Sequence, residues 1–134
     1  ELKVLENVST LKTIISQIRE VSPEESIGYS RRFRVVQKMK VATIPIGYAD
    51  GIRRAWGNEK GFVTINDQKA TILGSICMDM MMVDVTNISC KTGDEVIVFG
   101  KKPKVTEMAS VIGTIPYEIL TGISQRVKRI FYKN

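Results

Sequence analysis

The chain has no histidine, and its 134 residues include two cysteines, Cys77 and Cys90. Without histidine there can be no Ser-His-Asp triad. Two cysteines outside any C-x-x-C spacing leave no ligand set for zinc, so no metal is expected. No G-x-S-x-G signature is present, and Gly100-Lys101 lacks both the spacing of a phosphate-binding Walker loop and the Ser or Thr that should follow it. No apolar run approaches the ~20 residues of a membrane helix. The opening Glu1-Leu2-Lys3-Val4-Leu5 lacks the basic and apolar regions of a secretion signal. The scarcity of cysteine fits a reduced, cytoplasmic protein.

What is present is an ordinary globular composition, with 43% hydrophobic and 25% charged residues. A chain of this length is expected to be a single domain, residues 1–134. Its start reads as the middle of something longer, an excised C-terminal domain. The net charge of +6 comes in small groups: Arg31, Arg32 and Arg34; Arg53 and Arg54; Lys101, Lys102 and Lys104; Arg126, Lys128 and Arg129. These read as solvated faces, or as the surroundings of an anionic cofactor or substrate.

Short β-branched runs dominate. Strands are predicted over 40–46, 62–65, 70–73, 81–86, 95–99 and 126–132, with Asn66-Asp67-Gln68 as a hairpin turn. The segment 11–18 carries Leu11, Ile14, Ile15 and Ile18 at helical spacing. Its stiff β-branched residues nevertheless favour one strand. Two short helices are predicted. One is N-capped by Thr106 and stopped at Gly113, and the other opens near Pro116 and ends at Gly122. The expected fold is mainly β, a small β-barrel with one or two short helices.

The chemistry-bearing residues sit beside glycines at strand ends. Tyr29 follows Gly28. A phenol with a pKa near 10 is a poor base unless cations lower it, so the residues alone also allow a packed rim tyrosine. Tyr48 lies in Gly47-Tyr48-Ala49-Asp50-Gly51, a turn signature that also fits a tight turn with an exposed ring. Cys77-Met78-Asp79-Met80-Met81-Met82 sets a carboxylate in a methionine run that otherwise suits adaptable core filling. Asp79 would need a partner there.

Taken in order, these segments resemble the C-terminal β-domain of bacterial alanine racemases, which depend on pyridoxal 5'-phosphate. The resemblance runs from about Leu11 to Tyr132 and rests on several ordered pieces. They are Ser26-Ile27-Gly28-Tyr29, Ala42-Thr43-Ile44-Pro45-Ile46-Gly47-Tyr48-Ala49-Asp50-Gly51, Ile76-Cys77-Met78-Asp79, Gly93-Asp94-Glu95-Val96, Gly113-Thr114-Ile115-Pro116-Tyr117-Glu118-Ile119-Leu120 and Ile123-Ser124-Gln125-Arg126-Val127. Ser75, Pro116 and Ile52 depart from residues common in that family, an arginine, an asparagine and an aromatic respectively.

The resemblance implies an isomerase that interconverts L- and D-alanine for peptidoglycan supply. It implies a head-to-tail homodimer in which this domain closes the partner's N-terminal (β/α)8 barrel, where a lysine carries the cofactor. Racemisation removes a proton from one face of Cα and returns one to the other, so two bases must flank the substrate. On this likeness Tyr29 is one base and the barrel lysine the other. Met78 offers its backbone N–H to the substrate carboxylate. Tyr117 lies near the cofactor phosphate and substrate side chain, and Tyr48, Asp79, Ile115 and Arg54 line the entryway. The chain alone is expected to bind no cofactor and to be inactive. The alternatives are a serine racemase domain of a glycopeptide-resistance protein, whose full length could be membrane-anchored, and a basic β-barrel binding nucleic acid. The second is disfavoured by 7% aromatic content, with no ring interleaving the basic clusters.

Overall fold

In a computed structural model, the protein is described over residues 10–23, 26–27 and 33–129. Among the described residues, nine strands and two helices follow in chain order: β1 Leu11–Ile14, β2 Gln17–Val21, β3 Ser26–Ile27, β4 Phe33–Arg34, β5 Met39–Ile44, β6 Phe62–Ile65, β7 Gln68–Leu73, β8 Met81–Asp84, β9 Glu95–Phe99, α1 Val105–Val111 and α2 Pro116–Gly122. Single turns of 3-10 helix, Tyr48–Asp50 and Arg54–Trp56, lie between β5 and β6.

Seven strands form one antiparallel sheet in the order β1-β9-β6-β7-β8-β5-β2, while β3 and β4 form a separate pair. The two edge strands of the large sheet are consecutive in sequence. Between them, Ile15 donates to the Asp94 carbonyl and accepts from the Gly93 amide at 3.0 and 2.8 Å, and Ser16 donates to the Thr43 carbonyl at 3.0 Å. One stretch of chain therefore leaves β9 and joins β5, curling the sheet into the expected barrel-like form. The single strand predicted over 11–18 is corrected to two strands hinged at Ile15 and Ser16. The fully buried Ile15 pins the crossing, and each half takes a different partner.

The sheet buries both faces. Ala42, Ile44, Val63, Ile65, Ala70, Ile72, Met81, Val83, Val96 and Val98 belong to the main core together with Trp56, Met108 and Ile119. Val41 and Leu73, each one residue out of step with that set, join Val21 and Val35 in a second cluster on the opposite side. The β6–β7 turn is tighter than predicted: Asn66 and Asp67 alone have positive φ, 49° and 63°, and Gln68 already belongs to β7. That is the mirror-image turn whose twist matches a hairpin, and Asn and Asp tolerate it best after glycine.

The helices appear where expected, with one boundary changed. Helix α1 starts at Val105 behind Lys104, whose amide donates to the Glu107 carboxylate at 3.0 Å, so Thr106 is not the cap. Gly113, at φ 72°, stops it. Helix α2 opens on Pro116, the position where a missing N–H costs nothing, and that accommodates this departure from the family pattern. The predicted strand at 126–132 is corrected over its described part. Residues 125–127 make a turn held by the Arg129 guanidinium, which donates to the carbonyls of Ile123, Ser124 and Val127 at 3.0, 3.4 and 3.4 Å. The rest of that strand lies outside the described residues.

Candidate functional site

Four of the candidate residues, Tyr48, Arg54, Met78 and Asp79, lie at one end of the sheet, where the turns after β5 and β7 meet. Gly47 is the crossing point. Its φ of −146° is ordinary extended backbone, but a Cβ there would lie 2.2 Å from the Cys77 carbonyl oxygen and 2.5 Å from that of Met78. Glycine is needed for close approach rather than for an unusual dihedral. The approach lets the Tyr48 amide donate to the Cys77 carbonyl and the Ala49 amide to that of Met78, both at 3.0 Å. The opposing turn is closed by Cys77 N–H donating to the Met80 carbonyl at 2.9 Å. Met78 is half exposed, and its own N–H finds no acceptor among the described residues.

The rim is also tied electrostatically. The Asp50 carboxylate, buried despite its charge, accepts from the Gly47 amide at 3.0 Å and from Arg126 Nε at 2.8 Å. Burial of that charge is tolerable because both oxygens are partnered. Arg126 also reaches Asp79 Oδ1, at 3.7 Å. Arg54 stacks its guanidinium over the Tyr48 ring, 5.5 Å from the centroid. Helix α2 is fastened alongside. Arg53 pairs with the Glu118 carboxylate at 3.7 Å and donates to its carbonyl at 3.3 Å, Thr114 bonds the same carboxylate, and Gly51 packs on Gly122. Trp56, fully buried, donates its indole N–H to the Met108 carbonyl at 3.0 Å and ties the rim to α1.

Tyr48, Arg54, Met78 and Asp79 thus fall in one connected network, joined to the helix bearing Ile115 and Tyr117 through Arg53 and Glu118. Tyr29 lies outside the described residues. Ile115 and Tyr117 are 60% and 71% exposed; with Tyr48, Met78 and Met80 they make five of the exposed large apolar side chains. The sequence reading missed Gly47, Asp50, Arg53 and Arg126 as parts of the site. Asp50 stood in a recognised turn signature, but Arg126 had been placed in a strand, and no local pattern announces an ion pair across 76 residues (126 − 50). Ile52, a departure from the family pattern, is a core residue, 1% exposed.

Two open hollows lie among Gln68, Lys69, Thr71 and Asp84, and among Thr64, Asn66, Asp67 and Glu95, and no candidate residue lines either. No metal-binding cluster of acidic and cysteine side chains occurs among the described residues, and no described helix is long and apolar enough to cross a membrane. Cys90, near Asp94 and Lys40, has its thiol pushed up from the ordinary value by burial first and by Asp94 second, while Lys40 opposes both.

Residues 8–131 match the family described as alanine racemase, C-terminal domain. An alanine racemase of Clostridium perfringens is 45% identical over 130 residues, covering 93% of this chain and 33% of the relative. Alanine racemase 1 of Clostridium acetobutylicum is 42% identical over 135 residues, covering 97% of this chain and 35% of the relative. The crystal structure of alanine racemase from Bartonella henselae with covalently bound pyridoxal phosphate superposes with a TM-score of 0.87 at 35% identity, over 92% of this chain and 34% of that one. The chain spans about a third of the length of the curated relatives it matches. With residues 8–131 matching that family and the curled sheet superposing on a solved relative, the chain belongs to the alanine racemase C-terminal domain family.

Proposed function

We propose that this chain is the C-terminal domain of a cytoplasmic, pyridoxal-phosphate-dependent alanine racemase, and that it closes an active site whose other half is an N-terminal (β/α)8 barrel of the partner subunit in a head-to-tail homodimer. The product would be D-alanine for peptidoglycan. The observation that carries the reading is the exposed rim: Tyr48, Met78, Ile115 and Tyr117 stand exposed on turns and at a helix start held by hydrogen bonds and ion pairs. Exposed apolar side chains held in a fixed network suit a lid that another surface completes.

The described residues fit a contacting role toward the cofactor better than a holding one. The exposed Tyr117 phenol can donate one hydrogen bond to a phosphate, and it lines neither of the two hollows described above. Held elsewhere, the cofactor supplies the electron sink that makes the substrate Cα proton removable. The chain's own residues then divide the remaining work. The Met78 N–H, which has no acceptor among the described residues, binds and orients the substrate carboxylate. Tyr29 holds and returns the proton at one face of Cα. The Tyr117 ring limits the side chain to a small one, and Tyr48, Arg54, Asp79 and Ile115 narrow the way in. The named relatives are alanine racemases, and nothing observed favours the serine or nucleic-acid reading.

Tyr29→Phe in the intact enzyme tests the assignment, since it removes the phenol oxygen alone. Racemisation should fall by about 10²–10⁴-fold, the usual contribution of a positioned acid–base group. Undiminished interconversion of D- and L-alanine would remove Tyr29 from the chemistry. The 134-residue chain alone should show neither turnover nor the yellow of bound cofactor.

A further inference from the structure

Arg126 is held unusually firmly for a residue in an irregular segment. Its amide donates to Ser124 Oγ at 3.2 Å, the Ser124 amide donates to the Asp50 carbonyl at 3.0 Å, and Arg129 locks the surrounding turn. From that seat its guanidinium faces two carboxylates on two different rim turns. Nε lies 2.8 Å from Oδ1 of the buried Asp50, and Nη2 lies 3.7 Å from Oδ1 of Asp79, in the turn that presents Met78. The two pairs differ in kind. Asp50 is enclosed and doubly partnered, so its pair fixes the arginine. Asp79 and Arg126 are 64% and 57% exposed, and a pair so exposed adds little to stability.

We propose that Arg126 is a positioning residue for substrate binding, a clasp anchored on Asp50 that fixes Asp79 and with it the Met78 amide. A planar guanidinium suits the task because its donors diverge at fixed angles and can serve two carboxylates at once, whereas a lysine ammonium is a single mobile point charge. The Tyr48–Cys77 and Ala49–Met78 hydrogen bonds hold one side of the 77–80 turn. The clasp holds its outer side, where Arg126 is the ion-pair partner of Asp79 among the described residues. The contribution to catalysis rests on the racemase reading above, but the mechanical part does not.

Two readouts on the intact protein test it, using Arg126→Lys, Asp79→Asn and the double variant, none of which removes the volume of a buried side chain. Hydrogen exchange followed by mass spectrometry should show the peptide containing residues 74–80 exchanging about two- to fivefold faster in each variant, the scale of an exposed ion pair, with the β6–β7 hairpin unchanged. In racemisation, KM for alanine should rise about tenfold with kcat changed far less. The double variant should be no worse than either single one, the non-additivity of two residues acting through one contact. Unchanged exchange overturns the clasp. Faster exchange with a wild-type KM, or with additive losses in the double variant, overturns its role in binding. If Tyr29→Phe racemises normally, the racemase reading fails, and the exchange result still decides the clasp.

Discussion

Gly47→Ala gives the sharpest separation of sterics from backbone conformation. The backbone dihedrals at Gly47 are open to any residue, so a chain-entropy argument alone would predict a neutral or mildly stabilising change. The added Cβ, however, would meet the Cys77 carbonyl oxygen at 2.2 Å and the Met78 carbonyl oxygen and carbon at 2.5 and 2.6 Å. All three are main-chain atoms, and no side chain can swing aside. Separating the two segments sacrifices the Tyr48–Cys77 and Ala49–Met78 hydrogen bonds, each worth about 1 kcal/mol, and adds an overpacking cost of about 2 kcal/mol. The total is about 4 kcal/mol. Gly93→Ala is the opposite case. Its φ is 94° with nothing within 4 Å of the added carbon, so only the dihedral is penalised, by about 1 kcal/mol. In urea unfolding followed by Trp56, the chain's single tryptophan, a slope of about 1.5 kcal/mol/M puts the midpoint about 2.5 M lower for Gly47→Ala and under 1 M lower for Gly93→Ala. A Gly47→Ala midpoint within 0.5 M of wild type, or above that of Gly93→Ala, would refute the close-approach argument; the 0.5 M margin is roughly the scale of a 1 kcal/mol change at that slope.

Three further outcomes can be checked the same way. Asp50→Asn keeps an acceptor for the Gly47 amide but removes the charge facing Arg126, so it should cost about 1 kcal/mol, against about 3 kcal/mol for Asp50→Ala, which orphans both partners; no cost for Asp50→Asn would mean the ion pair contributes nothing, and equal costs would mean the same of the Gly47 hydrogen bond. Asp67→Gly, at φ 63° in the hairpin turn, should raise stability by about 0.5–1 kcal/mol by relieving left-handed strain, and a loss would show the aspartate side chain to be needed there. The raised pKa of Cys90 means the folded state holds its proton longer than the unfolded chain, so its contribution is complete below the unfolded value near 9 and fades as pH climbs through the folded one. Between neutral pH and pH 10, Cys90→Ser should therefore lose less stability than wild type, and parallel pH profiles would contradict the burial cause.

Much of the architecture could be read along the chain because it is locally encoded. The alternation of β6 and β7 around Asn66-Asp67, the β-branched run of β5, and the Pro116 start of α2 are all signals within a few residues of the structure they produce. The failures share a cause, which is partnership at a distance. The hinge at Ile15 is set by pairing with Asp94 and Gly93 on one side and by the Ser16–Thr43 bond on the other. The turn at 125–127 alternates like a strand but is captured by Arg129 and by Asp50. At the site, residue types at motif positions pointed to Tyr48, Met78, Asp79 and Tyr117, whereas the charges that hold them, Arg53, Asp50 and Arg126, have no short-range signature. Tyr117 and Ile115, also named from their motif, prove to be 71% and 60% exposed.

The crossing at Ile15 also has a bearing on biosynthesis. Leu11 pairs with Phe99, so β1 emerges from the ribosome long before β9 does, whereas β2 finds β5 much sooner. Closing so long a loop is entropically unfavourable and slow, and until it happens β1 is a bare template for other chains. A pause in translation anywhere between β5 and β9 prolongs that exposure. Nascent polypeptides truncated before Phe99 should accordingly be far more prone to co-aggregate than those truncated just after it.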